Sequence, residues 1–269
     1  MRLKDYLKKA QKEGWAIGQF NISNLETLRA IVQAAQKLKS PVIIGTSEGE
    51  SKFIGLARAV SLVKTFKKET GLPIFLNLDH GKSLDYIKEA ISVGYDAVLF
   101  DGSELALTEN IKIAKDAVTS AGKKRVLVEG EVGVIGEELT DAFEAERFVQ
   151  EAKVDTLAVN IGTRHGQGQN EEIDFQKLQE IRTKVKDVFL VLHGGSGVPD
   201  ADIKKAIESG IVKININTEL RTAYTNALKQ ALADNPEEVV PYKYMPKVIE
   251  AIQSVVEKKI NLFGSVNRI

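Results

Sequence analysis

Eight short β-rich apolar runs alternate with longer segments of helical spacing from one end of this chain to the other. The runs are Ala16–Phe20, Val42–Gly45, Ile74–Leu78, Ala97–Phe100, Val126–Val128, Thr156–Ile161, Val188–Leu192 and Val212–Ile216. Between them lie amphipathic stretches such as Asn24–Leu38, Ser83–Val93, Glu104–Ala121, Ala142–Ala152, Asp174–Val185 and Asp200–Ser209. Strands that are apolar throughout, rather than every second residue, are covered on both faces, which implies a parallel sheet under helices. Eight such units predict an α/β fold of the (β/α)8 TIM-barrel type. An open doubly wound sheet is the alternative, but it calls for a glycine fingerprint after its first strand, and none follows Phe20. The tail from Glu219 to Gly264 reads as two more helices broken around Pro236–Pro246: the last barrel helix and a C-terminal helical extension. At 269 residues the chain matches the roughly 250 of one such barrel, so residues 1–269 are expected to form a single domain.

Composition narrows the function classes. Net charge is zero and the pI is near 6.9, which leaves no basic footprint for nucleic acid. There is no cysteine, hence no disulfide and no thiolate metal site. No run approaches the roughly 18 apolar residues of a membrane span, and the charged start Met1–Leu7 lacks the apolar core of a signal peptide. A soluble, cytoplasmic protein is expected.

The chain's three histidines all stand near the ends of predicted strands and just before a glycine: Asp79-His80-Gly81, Arg164-His165-Gly166 and His193-Gly194. In a barrel of this type the C-terminal strand ends converge on one mouth. Three imidazoles meeting there, with one coordination position open, describe a catalytic metal site, although any one of them alone reads more simply as a capping residue. Asp101 and Glu131 follow the fourth and fifth strands, either as hard oxygen ligands or as helix-start carboxylates. Asp79 is either a base beside the metal or a group that orients its neighbouring ligand. The run Gly194-Gly195-Ser196-Gly197 offers backbone amides to an anion, and Asn215-Ile216-Asn217-Thr218 adds donors one unit later. Phosphate sites after strands seven and eight recur in this fold.

Taken in order, Leu76–Gly81, Val128–Gly133, Ile161–Gly166, His193–Gly197 and Lys213–Thr218 resemble the motif series of the class II, metal-dependent ketose-bisphosphate aldolases. The likeness extends to Ile17–Asn21 and Gly45–Gly49, so it spans nearly the whole chain. The resemblance implies zinc held by His80, His165 and His193, a second metal position at Asp101 and Glu131, and a monovalent cation. It implies Asp79 as catalytic acid/base and Asn21, Ser47, Gly166, Gly194, Gly195, Ser196, Asn215, Asn217 and Thr218 as substrate ligands. The expected substrate is a ketose 1,6-bisphosphate, first of all fructose 1,6-bisphosphate, with tagatose 1,6-bisphosphate or another ketose 1-phosphate as the alternative. A homodimer or homotetramer is expected too, with Leu262-Phe263 as interface material or, alternatively, core.

Two departures stand out. The family's glycine-rich segment after Glu131 is shortened here to Gly136–Ala142, leaving Glu138 or its neighbour Glu137 as the candidate second acid. Arg164 replaces a small residue, where it either meets a second phosphate or reaches solvent. Rival readings are Schiff-base chemistry on Lys213, which has the same strand parity as Asn215, a barrel metallohydrolase, and a non-catalytic sugar-phosphate-binding relative.

Overall fold

The alternation closes on itself. In the computed structural model, which describes residues 1–122, 124–135, 137–164, 166 and 172–269, eight parallel strands form one closed barrel in sequence order. They are β1 (Ile17–Asn21), β2 (Val42–Ser47), β3 (Ile74–Gly81), β4 (Ala97–Phe100), β5 (Leu127–Val132), β6 (Thr156–Val159), β7 (Phe189–Leu192) and β8 (Ile211–Ile216). Gln19 pairs with Ile43 of β2 on one side and with Asn215 of β8 on the other, which completes the ring. The helices are α1 (Leu3–Glu13), α2 (Leu25–Leu38), α3 (Glu48–Ile54), α4 (Leu56–Thr70), α5 (Leu84–Val93), α6 (Leu107–Gly122), α7 (Ala142–Ala152), α8 (Phe175–Lys184), α9 (Asp200–Glu208), α10 (Thr218–Asp234) and α11 (Pro241–Leu262).

Three helices have no counterpart in the segments read from periodicity. In α1, Leu3, Tyr6, Leu7 and Ala10 fall on one face and are all buried. They pack against Ile17, Ile43, Phe75, Leu127 and Phe189, at or near the starts of their strands, so α1 plugs the bottom of the barrel. The other two, α3 and α4, both precede β3; α4 buries Leu56, Ala59, Val60 and Val63 at helical spacing. In the tail, the chain breaks before Pro241 only, and Pro246 lies inside α11. A proline six residues into a helix removes one hydrogen bond to the preceding turn; here that turn holds the exposed Tyr242, whose carbonyl water can satisfy. Phe263 is buried in the core rather than offered to a partner.

The strand ends matter most. β3 runs to Gly81, three residues past the predicted end, and it is bulged: Leu78 pairs with Val98 of β4, yet Gly81 pairs with Phe100. One residue too many therefore sits on β3, and His80 takes a left-handed backbone with φ +51°.

Candidate active site

In an unbroken strand, Asp79 and His80 would face opposite sides of the sheet. The bulge re-aims His80, and both side chains enter the barrel mouth. There His80 Nε2 lies 3.0 Å from His193 Nδ1. The outer nitrogens of both rings meet carboxylates: His80 Nδ1 is 2.8 Å from Asp101 Oδ2, and His193 Nε2 is 3.0 Å from Glu129 Oε1. An ionised carboxylate only accepts, so each outer nitrogen carries the hydrogen. The two inner nitrogens then face each other, and they can share a proton, with His80 charged, or hold a cation between them.

The carboxylates point the same way. Ligand atoms of Asp79, His80 and His193 all lie within 4.8 Å of one another, and so do those of His80, Asp101 and Glu131. Glu131 Oε2 is buried without a hydrogen-bond partner and stands 3.4 Å from His80 Nδ1. Burial, against the pull of His80, lifts the Glu131 carboxyl to about 8, with Asp101, Glu129 and Asp79 adding repulsion. Burial disfavours charge on His80 as well, yet Asp79, Asp101 and Glu131 outweigh it and raise the imidazole to about 9. A cluster that draws protons onto a histidine and a carboxylate is built around positive charge. These residues fit a divalent metal: His80 and His193 would hold it, with Asp101 and Glu131 beside a second position. His165, the third expected ligand, lies outside the described residues.

Asp79 is buried and held by two amides. Asn21 Nδ2 donates to its Oδ2 at 2.9 Å and Asn215 Nδ2 donates to its Oδ1 at 3.1 Å. Burial raises its proton affinity, but His80, His193, Lys213 and the Asn21 hydrogen bond win and hold it at about 2. Asp79 is an ionised base with fixed orientation.

A pocket of about 370 Å³ opens above these groups, lined by Asn21, Ser47, Asp79, His80, Lys82, Asp101, Gly166, His193, Gly194, Ser196, Asn215, Asn217, Thr218 and Arg221. Most of the expected substrate ligands therefore share one cavity. The glycine loop is partly committed already: the Gly195 amide donates to Asn215 and that of Gly197 to Glu219. Gly194 has φ +64°, and a Cβ there would stand 2.3 Å from the Arg164 carbonyl oxygen. Only glycine fits. Glu137 and Glu138 are exposed on the loop after β5 and line no part of this pocket. Arg164 is exposed as well.

The class II fructose-bisphosphate aldolase family model matches residues 1–268. The chain belongs to that family. This aldolase is similar to the YdjI aldolase from Escherichia coli K12, at 32% identity and a TM-score of 0.89, covering 100% of this chain and 99% of the other. It also shares its fold with a fructose-bisphosphate aldolase from Campylobacter jejuni, at 22% identity and a TM-score of 0.88, over 99% and 95% of the two chains.

Several polar residues of the aldolase site escaped the reading of its sequence. Glu129 is buried below the cluster of His80, His193 and their carboxylates, where Lys213 Nζ at 2.7 Å and Thr156 Oγ1 at 3.0 Å donate to its second oxygen. Lys213 does point inward, as its parity indicated, but its ammonium is the partner of a carboxylate. Glu50 accepts from Asn21, Ser47, Asn217 and Arg221, tying β1 and β2 to the start of α10. The signal for Glu50 was present: Ser47-x-x-Glu50 is a capping box, and its structure has both reciprocal bonds. Lys82 pairs with Asp101 at 2.9 Å.

Proposed function

We propose that this aldolase cleaves a ketose 1,6-bisphosphate, with fructose 1,6-bisphosphate as substrate, and that zinc is its metal. The observation that carries the reading is the pair of inward imidazole nitrogens 3.0 Å apart beside an ionised, doubly amide-held Asp79. Bound at His80 and His193, with His165 as the expected third ligand, zinc would supply Lewis-acid polarisation of the substrate carbonyl. The residues of the chain do the rest. Asp79 takes the proton of the C4 hydroxyl, the C3–C4 bond breaks, and its electron pair passes to the carbonyl end as an enediolate. Asn21 and Asn215 keep the carboxylate aimed through this step. Ser196, Asn217 and Thr218 hold the C1 phosphate at the N-terminus of α10, where the helix dipole favours an anion. A second acid must then return a proton to C3; Glu138 is its candidate from the sequence, and it would have to approach from its exposed place outside the pocket.

The test is cleavage of fructose 1,6-bisphosphate by purified protein, with and without a strong chelator, followed by zinc add-back. Activity lost with chelator and regained with zinc supports the reading. Activity indifferent to chelator defeats it and directs attention to borohydride trapping on Lys213. Cleavage of tagatose 1,6-bisphosphate alone transfers the assignment to that substrate. A cytoplasmic homo-oligomer accompanies the proposal, and light scattering separates dimer from tetramer.

A further inference from the structure

The C-terminal helix reaches the glycine loop through one carboxylate. Lys259 of α11 is only 7% exposed, and its Nζ stands 2.7 Å from Glu219 Oε1. That same oxygen accepts the backbone N–H of Gly197 at 3.1 Å. The Glu219 N–H is directed at Ser196 Oγ, 3.4 Å away. Glu219 thus joins α11, the first turn of α10 and the exit of the loop.

A carboxylate is a strange neighbour for a phosphate site. It belongs at a helix N-terminus on dipole grounds, yet Glu219 sits next to Thr218 and bonds the loop that contains Ser196. Left uncompensated, its charge would oppose a phosphate dianion in the adjoining pocket. Burying a lysine there is costly unless its charge is matched, and the match is Glu219. The charge-assisted contact also locks the carboxylate in the geometry that grips Gly197, whose φ of +89° sets the loop's departure from the pocket.

We propose that Lys259 is a positioning residue for the phosphate end of the substrate. By holding and neutralising Glu219, it fixes the Gly197 end of the loop and lets a dianion settle against Ser196 and Thr218. This rests on reading that loop as the phosphate site.

The experiment titrates inorganic phosphate onto the metal-loaded, full-length protein by calorimetry and measures kcat and KM alongside. Lys259→Met weakens phosphate binding about tenfold, the scale of one unmatched charge acting through partly buried protein. It raises KM by a similar factor and leaves kcat within about twofold. Lys259→Arg keeps wild-type affinity, and Glu219→Gln combined with Lys259→Met recovers most of the loss, because glutamine still accepts from Gly197 without a charge. Should Lys259→Met fail to fold, Lys259→Gln carries the same expectation. Folded Met or Gln variants with wild-type phosphate affinity would overturn the proposal, as would a double variant no better than Lys259→Met. Absence of phosphate binding by the wild type would overturn the loop assignment itself and the inference with it.

Discussion

Replacing Glu129 by glutamine removes one half of the buried ion pair beneath the active site and leaves Lys213, 3% exposed, without a counter-charge. Two routes give the magnitude. Burial raises the Glu129 carboxyl, but Lys213 and His193 overcome it and hold the group at about 2 instead of 4.5. That difference corresponds to about 3 kcal/mol of native-state stabilisation. Independently, removing one partner of a buried pair costs about 3–5 kcal/mol. Glutamine keeps the shape and can still accept from Lys213 or Thr156, so the lower end is expected, about 3 kcal/mol. Because the native carboxyl titrates below its unfolded value, its stabilisation is complete above about pH 4.5 and fades as pH falls toward 2. The assay is urea unfolding of wild type, Glu129→Gln, Lys213→Met and the double variant, in chelator so that metal binding does not enter. At pH 7 each single variant loses about 3 kcal/mol, and the double loses clearly less than the sum. Toward pH 3 the gap between wild type and Glu129→Gln narrows. Additive losses, or a gap that widens in acid, would refute the claim that this pair is coupled and charged.

Three further outcomes follow from the site. Asp79→Asn is isosteric and should lower kcat about 10²–10⁴-fold while zinc stoichiometry, read by atomic absorption, stays at the wild-type value. Zinc at one hundred times its dissociation constant should stabilise the chelated protein by about 2.7 kcal/mol, seen as a raised melting temperature that His193→Ala abolishes. Gly194→Ala must relieve a 2.3 Å approach to the Arg164 carbonyl at a φ of +64°, so it should cost about 1–3 kcal/mol and raise KM for phosphorylated substrate more than it lowers kcat.

Much of this architecture could be read from the chain because parallel strands covered on both sides leave contiguous apolar runs, and eight of them appeared in order. The histidines were legible for a related reason: polar residues that end apolar runs are anomalies unless the mouth of a barrel uses them. What escaped depends on partners far away in sequence. That Asp79 and His80 share a face requires the β3 bulge, and the bulge exists only in the register with β4. Glu129 alternates with Glu131, so its inward direction could be inferred, but its placement against Lys213, 84 residues later, could not. The face of α1 was visible as Leu3, Tyr6, Leu7 and Ala10; that it seals the barrel floor was not, since spacing specifies a buried stripe and never what buries it.

Below the histidine–carboxylate cluster, the barrel interior departs from the branched aliphatic layers usual for this fold. Asn77 donates to Gln19 at 2.8 Å, Gln19 to Asn21 at 3.2 Å, and Asn21 to Asp79 at 2.9 Å. All three links run in one direction and end on a carboxylate, so each amide polarises the next toward the ionised base. An aliphatic layer would pack as densely but could not orient Asp79 or help keep it charged beside Glu131. The apolar floor under α1 and the helix-covered outer face of the barrel supply the stability that such a polar column sacrifices. The same division of labour explains the glycine at 45: a Cβ there would lie 2.1 Å from Asn21 Oδ1, so the position is kept empty to let the amide chain reach its base.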